Sequence, residues 1–277
     1  MGPCAASRMP GVVALHRSGT QVIETLMQRL AADRLARAHY IDAGLYDQRY
    51  ARRRQDLAFY TKQAKSPCLE LGAGTGRVTR ALIAAGVKVT AVEREAAMCQ
   101  RLADTGARVL RGDMTSAAVA RLAAQEKFAS VIAPFHVFSH VHESKALVAF
   151  LARVKTWLRP GGRLVFDVPM PNLYMLALSP ARRYRVGFAT VHGERYRYLE
   201  SFDYDPVTQL QTVIAHYDFE KPGHPKSFVV PLLHRHYFPQ ELRALLREAG
   251  LTIKKHSGDF VGGALGADSE EQVVIAV

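Results

Sequence analysis

Residues 66–90 read SPCLELGAGTGRVTRALIAAGVKVT, and this stretch decides the fold. Cys68 to Leu71 predict a short buried strand, Gly72, Gly74 and Gly76 follow at alternate positions, and Val78, Leu82 and Ile83 then recur at helical spacing. Strand, glycine loop and helix N-terminus together make a cradle. Glycine lets the backbone take positive φ or come close to a ligand, and the free N–H groups of the first helical turn favour electronegative atoms such as ribose oxygens. The spacing is G-x-G-x-G rather than the dinucleotide G-x-G-x-x-G, and Glu70 precedes the loop. A carboxylate there repels a pyrophosphate and suits a ligand that carries an ammonium group.

Working outward, Val87 to Val92 is a second β-rich run that ends in Glu93. An acidic residue about twenty positions beyond the loop, at a strand's carboxyl end, is placed to accept both ribose hydroxyls. Met98 either packs on an adenine ring or fills the helix predicted over Ala96–Thr105. A third strand, Ala107–Leu110, leads to Gly112-Asp113-Met114. Phe128–Phe135 reads as the fourth strand, with Pro134, Phe135, His136 and His140 at its far end, where ligands of doubly wound sheets bind. A helix over Ser144–Leu158 and the turn Arg159-Pro160-Gly161-Gly162 feed a fifth strand, Arg163–Val168.

E-L-G-A-G-T-G-R resembles motif I of the class I S-adenosylmethionine-dependent methyltransferases, and L-R-P-G-G-R-L is typical of the same superfamily. The motifs keep the family's order and spacing over residues 46–169. The resemblance implies an α/β fold: a Rossmann-like, doubly wound, seven-stranded, mostly parallel sheet, with an antiparallel β lobe inserted after the fifth strand. It implies S-adenosyl-L-methionine as cofactor, bound by Tyr50, Glu70, Gly72, Ala73, Gly74, Gly76, Arg77, Glu93, Arg94, Met98, Gly112, Asp113, Met114, Pro134 and Phe135. Asp113 matches the acidic residue that binds the adenine amine, and it is equally suited to N-cap the helix TSAAVARLAAQ. The segment YDQRYARRRQDLAFY, from Tyr46, resembles the helix that folds over cofactor and substrate in small-molecule methyltransferases. Tyr46 and Tyr50 either line the site or pack, whereas Phe59 and Tyr60 are expected to pack. Ala133-Pro134-Phe135-His136 lacks the Asp/Asn-Pro-Pro-aromatic run of the nucleic-acid amino-methyltransferases.

The remaining chain divides by character. Residues 1–19 are expected as a mobile tail and 20–62 as a helical cap with an amphipathic helix over 21–38; 63–169 is the cofactor-binding core. Residues 170–236 alternate aromatic and β-branched residues in GERYRYLESFDYD, TQLQTVIAHYDFE and KSFVVPLLHRHYF, the pattern of an antiparallel lobe. Residues 237–277 supply a helix from Pro239 and two final strands, the last of them an antiparallel edge. Tyr196, Tyr198 and Arg235 of the lobe either line the acceptor site, form a dimer face or pack on the core.

Composition narrows the partners. With 277 residues and 48% hydrophobic content the chain suits one α/β domain with an appended lobe, and no segment reads as a membrane span or signal peptide. Cys4, Cys68 and Cys99 form no C-x-x-C pair, which suits a reducing cytoplasm and predicts no metal site. The net charge of +12 admits an anionic partner, but the runs Arg52–Arg54 and Arg182, Arg183, Arg185 read as solvated basic faces, and aromatic RNA-binding signatures are absent. The expected partner is a small-molecule methyl acceptor, not nucleic acid or a membrane; a homodimer is compatible. An N–H or O–H acceptor must lose a proton, and a histidine suits that task, His136 first and His140 second. Two other readings stay open: a methyltransferase on RNA or an acidic carrier protein, and an inactive cofactor-binding protein of regulation or assembly.

Overall fold

The runs CLEL, VTAVE and FASVIA carry apolar or small residues at nearly every position, which a strand tolerates when both of its faces are covered. In the computed structural model, which describes residues 13–14, 39–40, 42–50, 52–219 and 224–277, these runs are strands β2 (Cys68–Leu71), β3 (Val89–Glu93) and β5 (Phe128–Ala133). With β4 (Arg108–Arg111), β6 (Leu158–Pro169), β11 (Ile253–Ser257) and β12 (Glu271–Ala276) they form a seven-stranded sheet in the order β11-β12-β6-β5-β2-β3-β4. β6, β5, β2, β3 and β4 run parallel, and β12 is antiparallel to both of its neighbours. The last strand is therefore not the edge expected from sequence: β12 slots between β6 and β11, and β11 is the edge. The chain leaves β2 toward β3 and β4, then returns to β5 and β6, so the strand order reverses beside β2, the crevice where such sheets bind ligands.

Side chains alternate across each strand. On one face Leu69, Leu71, Val131 and Leu164 meet Phe150, Leu151 and Trp157 of α6 (Ser144–Trp157) and Leu246 of α8 (Pro239–Glu248). α6 buries Leu147, Phe150, Leu151, Val154 and Trp157, the spacing of one helical face, each contributing about 1.5–3 kcal/mol by leaving water. On the other face Cys68, Ala91, Ile132 and Val165 meet Val78 and Leu82 of α3 (Arg77–Ala84), Leu102 of α4 (Ala96–Ala103) and Tyr60 of α2 (Leu57–Gln63). Glu70 shares the face of Cys68, so its carboxylate is driven under α3.

The chain divides into two units: residues through Arg49 with 173–234, and 50–172 with 235–277, which contains the seven-stranded sheet. The division falls inside the segment 20–62. In the first unit, β7 (Tyr184–Val191), β8 (Glu194–Asp205), β9 (Leu210–Phe219) and β10 (Phe228–Arg235) form an antiparallel sheet inserted in sequence after β6, joined at its β10 side by β1 (Val13–Ala14). Its core is aromatic: Tyr217 stacks on Phe228 at 4.6 Å, and Tyr196 and Tyr198 pack beside them. The helix expected over 21–38, and the expected tail apart from Val13–Ala14, lie outside the described residues. No helix among the described residues is long and apolar enough to cross a membrane.

Candidate functional site

The glycine loop leaves β2 with Gly72, Gly74 and Gly76 all in the left-handed region, at φ of +62°, +58° and +88°. Gly72 is required twice over, because a Cβ there would also lie 2.7 Å from Val137 Cγ2. The Ala73 N–H donates to Val92 O at 3.0 Å and stitches the loop to β3. At the end of β3, the Glu93 carboxylate accepts from the Gly74 N–H at 2.7 Å through Oε2, and from the N–H groups of Arg94 and Glu95 at 2.7 and 2.8 Å through Oε1. It clamps the loop to the N-terminal turn of α4. Burial pushes its carboxyl up, and those three N–H groups oppose the shift.

Glu70 is fully buried and accepts from Thr79 Oγ1 at 2.6 Å. Burial raises its carboxyl to about 7, against the hydrogen bond of Thr79 and the charge of Arg77, with Glu93 adding to the rise. A carboxyl whose folded pKa lies above its unfolded value of 4.5 is penalised increasingly as pH rises from 4.5 to about 7, and the penalty is constant above that. Glu70→Gln is therefore expected to stabilise the ligand-free protein by about 3 kcal/mol at pH 8, at about 1.36 kcal/mol per unit, and not at all at pH 4. Thermal or urea melts of the two proteins at both pH values check this.

Beyond β4, Asp113 accepts from the Thr115 N–H at 2.8 Å and Thr115 Oγ1 at 2.6 Å, and pairs with Arg94 Nη1 at 3.1 Å. The expected capping role goes elsewhere: Ser116 Oγ accepts from the Val119 N–H and caps α5 (Ala117–Ala123). The Gly112 N–H donates to Glu93 O at 2.8 Å, Met98 is buried, and Met114 packs partly buried on the larger core.

Past β5 the chain does something the sequence did not announce. Phe135 and His136 are both left-handed, at φ of +65° and +61°, although neither is glycine. Such backbone costs about 1–3 kcal/mol per residue and persists only where its surroundings hold it. The buried Asp167 carboxylate, near the end of β6, does this by accepting from the Phe135 N–H at 2.9 Å and the His136 N–H at 3.2 Å, and from Tyr60 Oη. The turn aims His136 Nε2 at Glu271 Oε2 of β12, 2.6 Å away, with Asp167 Oδ2 at 3.5 Å. Arg53 donates to Glu271 Oε1 at 3.0 Å, lies 3.9 Å from Asp167 and 3.5 Å from Asp56, and covers the Phe135 ring at 4.2 Å; Tyr50 meets that ring edge-on at 4.8 Å. Arg77, from the glycine loop's helix, grips Asp56 with two hydrogen bonds of 2.6 Å. An ion-pair chain thus runs from the loop to His136 through Arg77, Asp56, Arg53 and Glu271.

His136, Asp167 and Glu271 offer donor atoms within 4.8 Å of one another. Arg53, Tyr60 and two backbone N–H groups donate to the carboxylate oxygens, which ties the cluster into an ion-pair network. Burial opposes ionisation of Glu271, but the hydrogen bond and charge of His136, then Arg53, outweigh it and hold that carboxyl low; burial, reinforced by Glu271, pushes Asp167 up.

His140 is pushed down to about 3 by burial and by His142, His136 and Arg94, so it stays neutral and is a poor proton acceptor. Arg235, whose sequence context leaves open the acceptor site, a dimer face and the core, donates to His142 O at 3.2 Å, His236 O at 2.9 Å, Ser144 Oγ at 3.2 Å and Glu241 Oε1 at 2.7 Å, bracing the start of α8. Pro134 is buried at the end of β5. Tyr46, Tyr196 and Tyr198 belong to the other unit. There Tyr46 lies among His39 and Tyr40, Tyr196 Oη donates to Glu194 at 3.2 Å, and Tyr198 donates to Glu200, which also takes Arg49 at 2.6 Å. Sequence reasoning missed Asp167 and Glu271; the one signal was an aspartate interrupting the apolar run LVFDV.

The sequence signature of a methyltransferase domain matches residues 37–256. Over 162 residues the chain is 30% identical to the ribosomal RNA small subunit methyltransferase A of Myxococcus xanthus, a match covering 55% of this chain and 54% of that protein, so it spans about half of that relative's length. Its fold is similar to that of the CcbJ methyltransferase of Streptomyces caelestis (TM-score 0.67, 23% identity, 80% of this chain and 93% of that one). It is also similar in fold to CalS10, an amino pentose methyltransferase of Micromonospora echinaspora solved with S-adenosylmethionine bound (TM-score 0.55, 17% identity, 95% and 98%). With the family signature spanning most of its length, and the sheet order, glycine loop and Glu93 in place, the chain belongs to the class I methyltransferase-domain family.

Proposed function

We propose that the chain is an S-adenosylmethionine-dependent methyltransferase that methylates a nitrogen or oxygen atom of a small metabolite. The observation that carries this is the convergence, at the carboxyl edge of one sheet, of the glycine loop, two carboxylates beyond it and a histidine held by a strained turn. The donor set fits the cofactor. Glu93 and Asp113 suit hydroxyl and amine donors, Glu70 adds negative charge beneath the loop, and Phe135 and Tyr50 offer aromatic faces for a sulfonium.

When bound, S-adenosylmethionine supplies an electrophilic methyl group. The chain's own task is to hold the acceptor in line with it and to take the acceptor's proton. His136 is assigned the proton. The amino pentose methyltransferase CalS10, similar in fold, makes amines on sugars the first acceptors to try. Free Cys68 and Cys99 fit a reducing compartment, the cytoplasm.

The test is incubation of the full chain with S-adenosylmethionine and a panel of amino sugars and their hydroxy counterparts, with products read by mass spectrometry. His136→Gln is expected to lower turnover by about 100-fold and to change cofactor affinity less than about twofold, the loss typical of a missing general base. Unchanged turnover removes His136 from the reaction. An RNA acceptor is the second reading, favoured by the likeness to a ribosomal RNA methyltransferase and the net charge of +12. Methyl incorporation into RNA, weakening steeply with salt, would favour it over the first.

A further inference from the structure

We infer that Glu271 is the positioning residue of His136, fixing which ring nitrogen takes the acceptor's proton, and that the surrounding ion-pair network is built to hold that proton. This rests on the reading of His136 as the base. An ionised carboxylate only accepts hydrogen bonds, so at 2.6 Å from Glu271 Oε2 the Nε2 atom of His136 must be the protonated one. Glu271 is kept ionised by Arg53, which donates to its other oxygen at 3.0 Å. Among the described residues Nδ1 makes no hydrogen bond, and the side chain is 16% exposed, so Nδ1 carries the lone pair and can be reached. Asp167, by holding the left-handed turn, sets the direction from which the ring meets Glu271.

The charges around the ring complete the argument. Arg53 and Asp56 precede α2 and Tyr60 lies on it, Asp167 faces His136 from β6, Glu271 from β12, and Arg77 closes the chain from α3. His140 and His236 are pushed by burial to about 3 and about 4 and stay neutral. Three carboxylates (Asp56, Asp167, Glu271) thus face two guanidiniums (Arg53, Arg77), an excess of one negative charge when His136 is neutral and none when it is protonated. In the step itself a bond forms between Nδ1 and the proton, the acceptor's N–H or O–H bond breaks, and the bonding pair stays on the acceptor atom. The imidazolium so formed is neutralised by a carboxylate already in place.

The test needs no acceptor. Long-range proton–nitrogen spectra of the full chain with labelled histidine, recorded from about pH 5 to 9, follow each ring, and His136→Gln assigns the resonance. The neutral ring is expected as the Nε2–H tautomer, and Glu271→Ala, which removes the acceptor, is expected to lose that preference. An Nδ1–H tautomer in the unmodified protein, or an unchanged Nε2–H preference in a folded Glu271→Ala protein, overturns the inference. If the alanine variant does not fold, Glu271→Asp, which keeps the charge and withdraws the contact, is expected to lose the tautomer preference, and keeping it counts against us. Failure of His136 as the base shows separately, as unchanged turnover of His136→Gln in the transfer assay.

Discussion

Asp167→Ala is expected to lower the stability of the folded protein by about 3–5 kcal/mol, the loss seen when one partner of a buried charged network is removed. The substitution leaves the Phe135 and His136 N–H groups and the Tyr60 hydroxyl without their common acceptor in a fully buried place. Each unsatisfied donor costs about 1–3 kcal/mol, and the two left-handed residues lose what holds them. Against this, the carboxylate's own burial is costly, which is why Asp167 is pushed up and why the total stays below the sum of its parts. Asp167→Asn, with the same shape and one acceptor oxygen, should cost less than alanine. Urea unfolding measures both. Glu126→Ala is the control: it breaks the exposed Lys88–Glu126 pair at 3.2 Å and should cost under about 1 kcal/mol. A loss of that small size for Asp167→Ala would mean that the strained turn is held by something else.

The second large effect belongs to Glu93. Glu93→Ala removes the acceptor of three backbone N–H groups that tie the glycine loop to α4, and also the carboxylate offered to the ribose. Two charge-assisted hydrogen bonds to a ligand are worth together about 3–4 kcal/mol, so affinity for S-adenosylmethionine should fall by at least about 100-fold. Stability should fall as well, by about 1–3 kcal/mol, because the Gly74 and Glu95 N–H groups lose their acceptor in a buried place. Glu93→Gln, keeping one acceptor oxygen, should lie between. Equilibrium binding and melting curves on the same preparations separate the two losses; equal affinity of Glu93→Ala and the unmodified protein would take the ribose role from Glu93.

What the sequence made legible was what is local. β2, the three glycines and Glu93 lie within twenty-six residues of one another, from Cys68 to Glu93, and their chemistry is set by spacing along the chain. The alternation of apolar strands and amphipathic helices, together with the family resemblance, led to the seven-stranded sheet, and the aromatic alternation after Pro169 led to the antiparallel lobe. The proton-handling network is of another kind: Arg53 meets Glu271 across 218 positions, His136 meets it across 135, and Tyr60 meets Asp167 across 107. No periodicity encodes such pairs. They form because the carboxyl ends of β5 and β6 and the start of antiparallel β12 meet at one edge of the sheet, and because buried charges must find partners. Tyr60 shows the limit: it packs, as its setting suggested, and is fully buried, yet its hydroxyl serves Asp167. Arg235 is a second case: its sequence context leaves open the acceptor site, a dimer face or the core, and it is committed to the α8 cap and the turn before α6. The positive φ of Phe135 and His136 could not be read from residue types that ordinarily avoid it.

Calorimetric titration of the purified full chain with S-adenosylmethionine and S-adenosylhomocysteine, with NAD run beside them, tests the central claim most directly. The account predicts saturable binding of the first two with dissociation constants of about 1–100 μM, an ordinary range for a cofactor site, and no binding of NAD, whose pyrophosphate meets Glu70 and the wrong glycine spacing. Heat from NAD alone, or from none of the three, would contradict it.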